Sequence, residues 1–227
     1  MRVFAVIPAY HEAERLPGVL DAIAPHVEGM VVVDDGSRDE TASVVTHPKA
    51  VVLRHPLNRG QGAALRTGTV AALELGADVI VHVDADGQHD PEGIARVVAP
   101  ICDGSADVVL GSRFLTIRPE GMPSMRRVLL MGVRQFNRWV VGIPGRVTDP
   151  QSGFRAFSAM AARQIDFQQD RMAHASEILR LVTRSSLRWQ EVPVRVRYTE
   201  DSLRKGQKAT DAFKVAWQLV LGAFHRS

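Results

Sequence analysis

The sequence predicts an α/β fold: a mostly parallel, Rossmann-like sheet with helices on both faces. Three observations predict it. Short apolar runs recur along the first half, at Val3–Ile7, Met30–Val33, Ala50–Arg54, Val79–Val83 and Asp107–Gly111. Their continuous β-branched character marks strands buried on both faces. Helix-length segments separate most of them, which implies βαβ units joined by right-handed crossovers. Several of the runs stop at Pro or at acidic residues, so polar groups collect at strand C-termini, where open α/β sheets bind ligands.

The elements follow in order. Pro8 ends the first strand, and Glu12–Ala24 reads as a helix. Met30–Val33 stops at Asp34-Asp35-Gly36-Ser37, Asp39–Val45 reads as a short helix, and Ala50–Arg54 is the third strand. Asn58-Arg59-Gly60-Gln61-Gly62 opens a helix over Ala63–Leu75. Val79–Val83 delivers Asp84 and Asp86, Pro91–Cys102 is helical, and Asp107–Gly111 is the next strand. Beyond Arg113 the alternation breaks down. Arg118–Ser124 reads as a loop, Ser124–Val141 as a helix with apolar and basic faces, and Thr148–Gly153 as a loop leading into Phe154–Phe157. Ser176–Thr183 is helical, Glu191–Tyr198 alternates like a strand, Glu200–Lys208 is a basic loop, and Asp211–Phe224 is an amphipathic helix.

With 227 residues the chain fits one domain spanning 1–227. The net charge of +3 hides an asymmetry. Residues 1–112 carry 8 Lys and Arg against 16 Asp and Glu, whereas residues 113–227 carry 20 against 9. An acidic half that holds a metal and nucleotide, joined to a basic acceptor half, would produce that split; a solvated arginine-rich face would too. No run reaches the roughly 18 apolar residues of a membrane-spanning helix. The N-terminus enters a strand at once and lacks the pattern of a signal peptide. The single cysteine, Cys102, cannot close an internal disulfide. A cytoplasmic location is expected, at the inner face of the cell membrane.

The most informative stretch is Val81-His82-Val83-Asp84-Ala85-Asp86-Gly87-Gln88. A buried strand explains the valines but not two carboxylates one residue apart, which repel unless a cation sits with them. Mg²⁺ or Mn²⁺ suits such oxygen ligands and bridges to phosphates. On the same sheet edge, Tyr10 could stack on a base, Glu12 could accept from base or ribose, and Asp35 could accept from a ring N–H. Helix-first-turn and turn-capping roles compete for Glu12 and Asp35. The glycines at 60 and 62 could cradle phosphate or simply let helix and sheet approach. Arg113 should project over this edge, and Arg126, Arg127, Arg155, Arg204, Lys205 and Lys208 are further candidates to meet phosphate or acceptor. Asp149 reads equally as a general base and as a turn residue before Pro150. His11, His82 and His89 surround the acidic positions, with His82 inside a strand.

Together these motifs resemble family 2 glycosyltransferases of the GT-A fold. The residues that carry the resemblance are Val6-Ile7-Pro8-Ala9-Tyr10, Val33-Asp34-Asp35-Gly36-Ser37, Asn58 to Gly62 and Asp84-Ala85-Asp86-Gly87-Gln88. Gly111-Ser112-Arg113 and Asp149-Pro150-Gln151-Ser152-Gly153-Phe154-Arg155 are similar to the dolichol-phosphate mannose synthase branch. The resemblance implies an inverting transfer from a UDP- or GDP-linked sugar, assisted by Mg²⁺ or Mn²⁺. Pro8, Ala9, Tyr10, Glu12, Asp35, Asp84, Ala85 and Asp86 would hold the nucleotide. Asp84, Asp86 and Gln88 would hold metal and diphosphate, and Arg113 would meet phosphate. His11 and Gln61 stand where that family often has Asn and Lys. A polyprenyl phosphate acceptor would need no base; a hydroxyl acceptor would call on Asp149, then Glu177.

A sugar-phosphate nucleotidyltransferase would want a Gly-rich loop with a Lys after the first strand, where Pro8-Ala9-Tyr10 stands. A non-catalytic nucleotide-sugar-binding module is the remaining alternative. The missing G-x-G-x-x-G argues against a dehydrogenase. The expected partners are a nucleotide-sugar donor and a lipid-phosphate acceptor, with no nucleic acid. Ser124–Val141 sets Arg126, Arg127, Arg134 and Arg138 beside large apolar residues, a pattern suited equally to covering the sheet and to peripheral contact with an anionic membrane.

Overall fold

The computed structural model describes residues 1–115 and 147–196. The predicted α/β architecture is present. Seven strands form one sheet: β1 (Val3–Ala9), β2 (Gly29–Asp34), β3 (Ala50–Arg54), β4 (Val79–His82), β5 (Val108–Ser112), β6 (Arg155–Ser158) and β7 (Trp189–Pro193). Their order is β3-β2-β1-β4-β6-β5-β7. Neighbours are parallel except at β6, which runs antiparallel to both β4 and β5. The reversal means that β6 begins, at Arg155, on the edge where the parallel strands end.

The helices are α1 (Leu16–Ile23), α2 (Gln61–Glu74), α3 (Gly93–Cys102), α4 (Ala159–Gln164) and α5 (His174–Arg184). Alternation along each strand divides the core in two. Ala5, Ile7, Val32, Val81 and Ala156 pack with α1 and α3, whereas Phe4, Val6, Val33, Ile80 and Phe157 pack with α2 and α5. The continuous apolar runs follow from this burial on both faces.

Three expectations need correction. Asp39–Val45 is a turn, because Asp39 Oδ1 takes both the Thr41 N–H (3.3 Å) and the Thr41 hydroxyl (2.6 Å). Short polar side chains that bond nearby backbone compete with a helix in this way. The first helix starts at Leu16 rather than Glu12, with Pro17 in its first turn, where a missing N–H costs nothing. The strand expected over Glu191–Tyr198 starts earlier and its ladder stops at Pro193, which has no N–H to donate. An isolated bridge joins Val196 to His89. The expected helices Ser124–Val141 and Asp211–Phe224 and the basic loop Glu200–Lys208 lie outside the described residues. Among the described residues no helix is long and apolar enough to cross a membrane.

Candidate active site

The C-terminal ends of β1, β2 and β4 and the start of α2 enclose a cleft of about 390 Å³. Pro8, Ala9, Tyr10 and Glu12 line it from β1 and its loop, Asp35 from the end of β2, and Asp84, Ala85 and Asp86 from the end of β4. These are all eight residues that the sequence assigns to a nucleotide. Asn58, Gly60, Gln61 and Ala64 complete the wall.

The glycine turn before α2 packs rather than cradles. Asp35 accepts the Arg59 N–H (3.0 Å) and the Gly60 N–H (2.6 Å), and the Asp170 carbonyl accepts the Ala63 N–H (3.1 Å). Three of the amides in this turn are therefore taken up by the protein. A Cβ on Gly62 would strike the Gln169 carbonyl, so this position needs glycine for close approach. Asp35 is buried and is also hydrogen-bonded to His55 Nδ1 at 2.7 Å, while His55 Nε2 meets Thr67 Oγ1 at 3.0 Å. His55 carried no signal in the sequence, because it lies in no motif.

Tyr10 stands half-exposed at the mouth of the cleft, edge-on to His11 with ring centroids 4.3 Å apart. His11 has φ of 56°, the left-handed region in which short polar residues such as Asn are at home. Glu12 is ion-paired with Arg15 at 3.2 Å.

The acidic pair forms the far wall. Asp84 Oδ1 accepts from Gln61 Nε2 (2.8 Å). Asp86 accepts the Gln88 N–H (2.9 Å) and the Gln88 side-chain amide (2.6 Å). Burial, and then the charge of Asp84, push the Asp86 carboxyl above its ordinary range. A bound cation would relieve that repulsion. Among the described residues no three His, Cys, Asp or Glu side chains gather into a complete metal cage. Two carboxylates beside Gln88 form an open, oxygen-rich set, which fits an ion that completes its shell with water and phosphate oxygens, as Mg²⁺ does and Mn²⁺ can. A second cavity of about 430 Å³ lies across the pair, lined by Val19, Ile23, Val83 and His89 among others.

Beyond β4 the edge is organised by ions. Arg113, just after β5, donates to Asp149 through Nε (2.6 Å), Nη2 (2.8 Å) and its own N–H (3.0 Å). The Asp149 side chain is 1 % exposed and that of Arg113 is 11 % exposed. Glu191 on β7 ties down this loop, accepting the Thr148 N–H (2.9 Å), the Thr148 hydroxyl (2.8 Å) and the Asp149 N–H (3.2 Å). Burial raises the Glu191 carboxyl, an effect that its donors oppose. With both oxygens engaged by a guanidinium, Asp149 is the anchor of Arg113 rather than a free base. Glu177, the second candidate base, is buried and accepts the Gln168 (2.9 Å) and Gln169 (2.7 Å) N–H groups.

The expectation that Arg155 meets phosphate or acceptor is corrected. Antiparallel β6 sets it inside the sheet opposite His82, 2 % exposed, with Nη2 enclosed and unpartnered among the described residues. Burial pushes its guanidinium down to about 10, while the carboxylates of Asp149 and Asp84 pull the other way. Arg126, Arg127, Arg204, Lys205 and Lys208 lie outside the described residues.

The model of the family described as "Glycosyl transferase family 2" matches residues 4–165. The chain belongs to that family. It is 33 % identical over 240 residues to UDP-N-acetylglucosamine–dolichyl-phosphate N-acetylglucosaminyltransferase of Methanococcus voltae, covering 96 % of this chain and 95 % of the relative. It is 34 % identical over 177 residues to undecaprenyl-phosphate mannosyltransferase of Micrococcus luteus, covering 73 % and 70 %. Glucosyl-3-phosphoglycerate synthase of Mycobacterium tuberculosis, crystallised with Mn²⁺, UDP and glucosyl-3-phosphoglycerate, matches the fold with a TM-score of 0.74 at 20 % identity, over 96 % of this chain and 77 % of that one. The fold is GT-A, and the protein is a family 2 glycosyltransferase that uses a nucleotide-sugar donor. Membership of the family disposes of the nucleotidyltransferase alternative.

Proposed function

We propose that this glycosyltransferase moves a sugar, with inversion, from a UDP- or GDP-sugar to a polyprenyl phosphate in a reaction that requires Mg²⁺ or Mn²⁺. The observation that carries this reading is the cleft that Tyr10, Glu12 and Asp35 line together with Asp84 and Asp86. Tyr10 stacks on the base, Glu12 and Asp35 border the nucleoside, and Pro8, Ala9 and Ala85 shape the wall. Asp84, Asp86 and Gln88 hold the cation, which when bound offsets charge on the departing diphosphate. The acceptor oxygen attacks the anomeric carbon as its bond to the β-phosphate breaks, and the nucleoside diphosphate leaves with that electron pair. Arg113, aimed by Asp149, neutralises phosphate charge. The engagement of Asp149 with Arg113 favours an acceptor that is already ionised, because both oxygens of this candidate base are occupied. The names of the relatives, which act on dolichyl and undecaprenyl phosphates, support the same acceptor class. Arg126, Arg127, Arg204, Lys205 and Lys208 belong to the acceptor side of this proposal. So does peripheral attachment of a single 1–227 domain at the inner face of the membrane.

The test supplies each candidate donor with Mn²⁺ and a short polyprenyl phosphate, and measures released nucleoside diphosphate together with lipid-linked sugar. Turnover should vanish without the cation. It should fall more than about 100-fold in Asp86→Asn, because cation catalysis is worth several kcal/mol and each 1.4 kcal/mol is tenfold. Undiminished turnover in that variant sinks the metal assignment. Sugar on a free hydroxyl acceptor, with none on the lipid phosphate, sinks the acceptor assignment. Co-sedimentation with anionic vesicles at low salt, lost as salt rises, checks the membrane contact.

A further inference from the structure

His89 lies in the chain that leads from the acidic pair towards α3. Its ring is stacked on Phe154, with centroids 4.7 Å apart and planes 16° from parallel. The side chain is buried. Its backbone also bridges to Val196 beyond β7. Its two nitrogens both face Asp84. Nδ1 accepts the Asp84 backbone N–H at 3.3 Å. A ring nitrogen that accepts carries no proton, which assigns the neutral ring's proton to Nε2. Nε2 stands 3.6 Å from Asp84 Oδ2. The other oxygen, Oδ1, is taken by Gln61. On the remaining side Gly153 comes so close that a Cβ there would lie 3.1 Å from Oδ2. Asp86, by contrast, is bonded within its own loop, to Gln88.

We propose that His89 is a positioning residue that fixes the backbone and Oδ2 of Asp84 in the orientation that receives the divalent cation. The proposal rests on the reading of Asp84 and Asp86 as cation ligands. Groups that orient metal ligands in this way typically carry a 10–100-fold effect on metal affinity.

The experiment titrates Mn²⁺ into the protein with UDP or GDP and reads free Mn²⁺ by electron paramagnetic resonance. His89→Phe keeps a ring to stack on Phe154 and loses both nitrogens. It should bind Mn²⁺ about 10–100-fold more weakly. Raising Mn²⁺ should restore most of its kcat, whereas a purely structural defect would not respond to the metal. His89→Gln, which retains a polar amide, should recover part of the affinity, and it carries the test if the Phe variant does not fold. An Mn²⁺ affinity equal to that of the wild type in either folded variant overturns the role of His89. No Mn²⁺ binding by the wild-type protein overturns the ligand reading of Asp84 and Asp86 instead.

Discussion

Asp35 and Asp149 are both buried carboxylates at the ligand edge of the sheet, and they do opposite things. Asp35, on the regular parallel side, spends its oxygens on the backbone N–H groups of Arg59 and Gly60 and on His55. Asp149, on the side interrupted by antiparallel β6, spends its oxygens on the Arg113 guanidinium. A carboxylate held by backbone donors fixes a loop and so shapes a recognition wall. A carboxylate held by a guanidinium fixes a positive side chain, the one that meets phosphate in the function proposed above. One edge of one sheet thus carries a shape-determined end and a charge-determined end, with the acidic pair between them.

The sharpest way to break this comparison is to remove a charge at the second end. Arg113→Met leaves Asp149 buried without its cation. Removing one partner of a buried pair costs about 3–5 kcal/mol. Urea unfolding should show that loss, and Asp149→Leu in the same chain should recover much of it, because an apolar pair of similar size is often neutral. A loss under about 1 kcal/mol in Arg113→Met would mean that solvent reaches Asp149 and that the two ends do not differ in kind.

The corresponding change at the first end should cost less and act locally. Asp35→Ala orphans the Arg59 and Gly60 amides, at about 1–3 kcal/mol for a buried donor left unpaired. Hydrogen exchange at these two amides should accelerate in the variant. Calorimetry should show weaker donor binding, because the start of α2 forms part of the cleft wall. Unchanged exchange with weakened binding would make Asp35 a direct nucleoside ligand rather than a loop anchor.

The first end was the more legible in the sequence, for a physical reason. Parallel strands buried on both faces leave continuous apolar runs, and the residue after each run falls on the ligand edge. Asp35, Asp84 and Asp86 could therefore be placed together from spacing alone. Nothing comparable marks the second end. β6 is four residues long, and no local pattern says that it runs backwards between β4 and β5. Arg155 consequently reads as a cation that meets phosphate or acceptor, although its position inside the sheet buries it. The partnership of Arg113 with Asp149 spans 36 residues and left no periodic trace. His55, Glu191 and His89 support other residues across the fold, and sequence spacing does not encode such support. Asp39–Val45 failed differently: Asp39 and Thr41 bond to each other and remove the helix that their neighbours would allow.

A third prediction tests the buried setting around Arg155. Burial holds His174 down to about 4, against an ordinary value of 6.5, and the nearby Arg155 charge acts in the same direction. The folded protein therefore binds fewer protons than the unfolded chain between about pH 6.5 and pH 4. Stability from this group is complete above pH 6.5 and declines as pH falls through that window. At pH 5 the loss should be about 2 kcal/mol, at about 1.36 kcal/mol per pH unit. His82, held down to about 3 chiefly by burial, adds to the same acid slope. Chemical denaturation of the wild type and of His174→Gln at pH 7 and pH 5 separates the contribution. The variant should lose about 2 kcal/mol less between the two conditions. Parallel losses would mean that His174 is not held neutral.

The smallest effect belongs at the first end, at His11. Its φ of 56° lies where an L-residue pays about 1–2 kcal/mol, with Asn and His more tolerant than most. His11→Asn should therefore keep the backbone and stay within about 0.5 kcal/mol of the wild type, whereas His11→Val should lose about 1–2 kcal/mol. The Asn variant does lose the imidazole that stands edge-on to Tyr10. Aromatic pairs are worth about 0.5–1.5 kcal/mol, and solvent at the mouth of the cleft brings this one to the low end. If the imidazole pre-sets Tyr10 to receive a base, His11→Asn should raise the donor KM about two- to threefold and leave kcat alone, since a 1.4 kcal/mol loss is tenfold and this one is about a third of that. An unchanged KM in His11→Asn, together with the loss of stability in His11→Val, would assign His11 to the turn alone. Tyr10 would then find the base without its help.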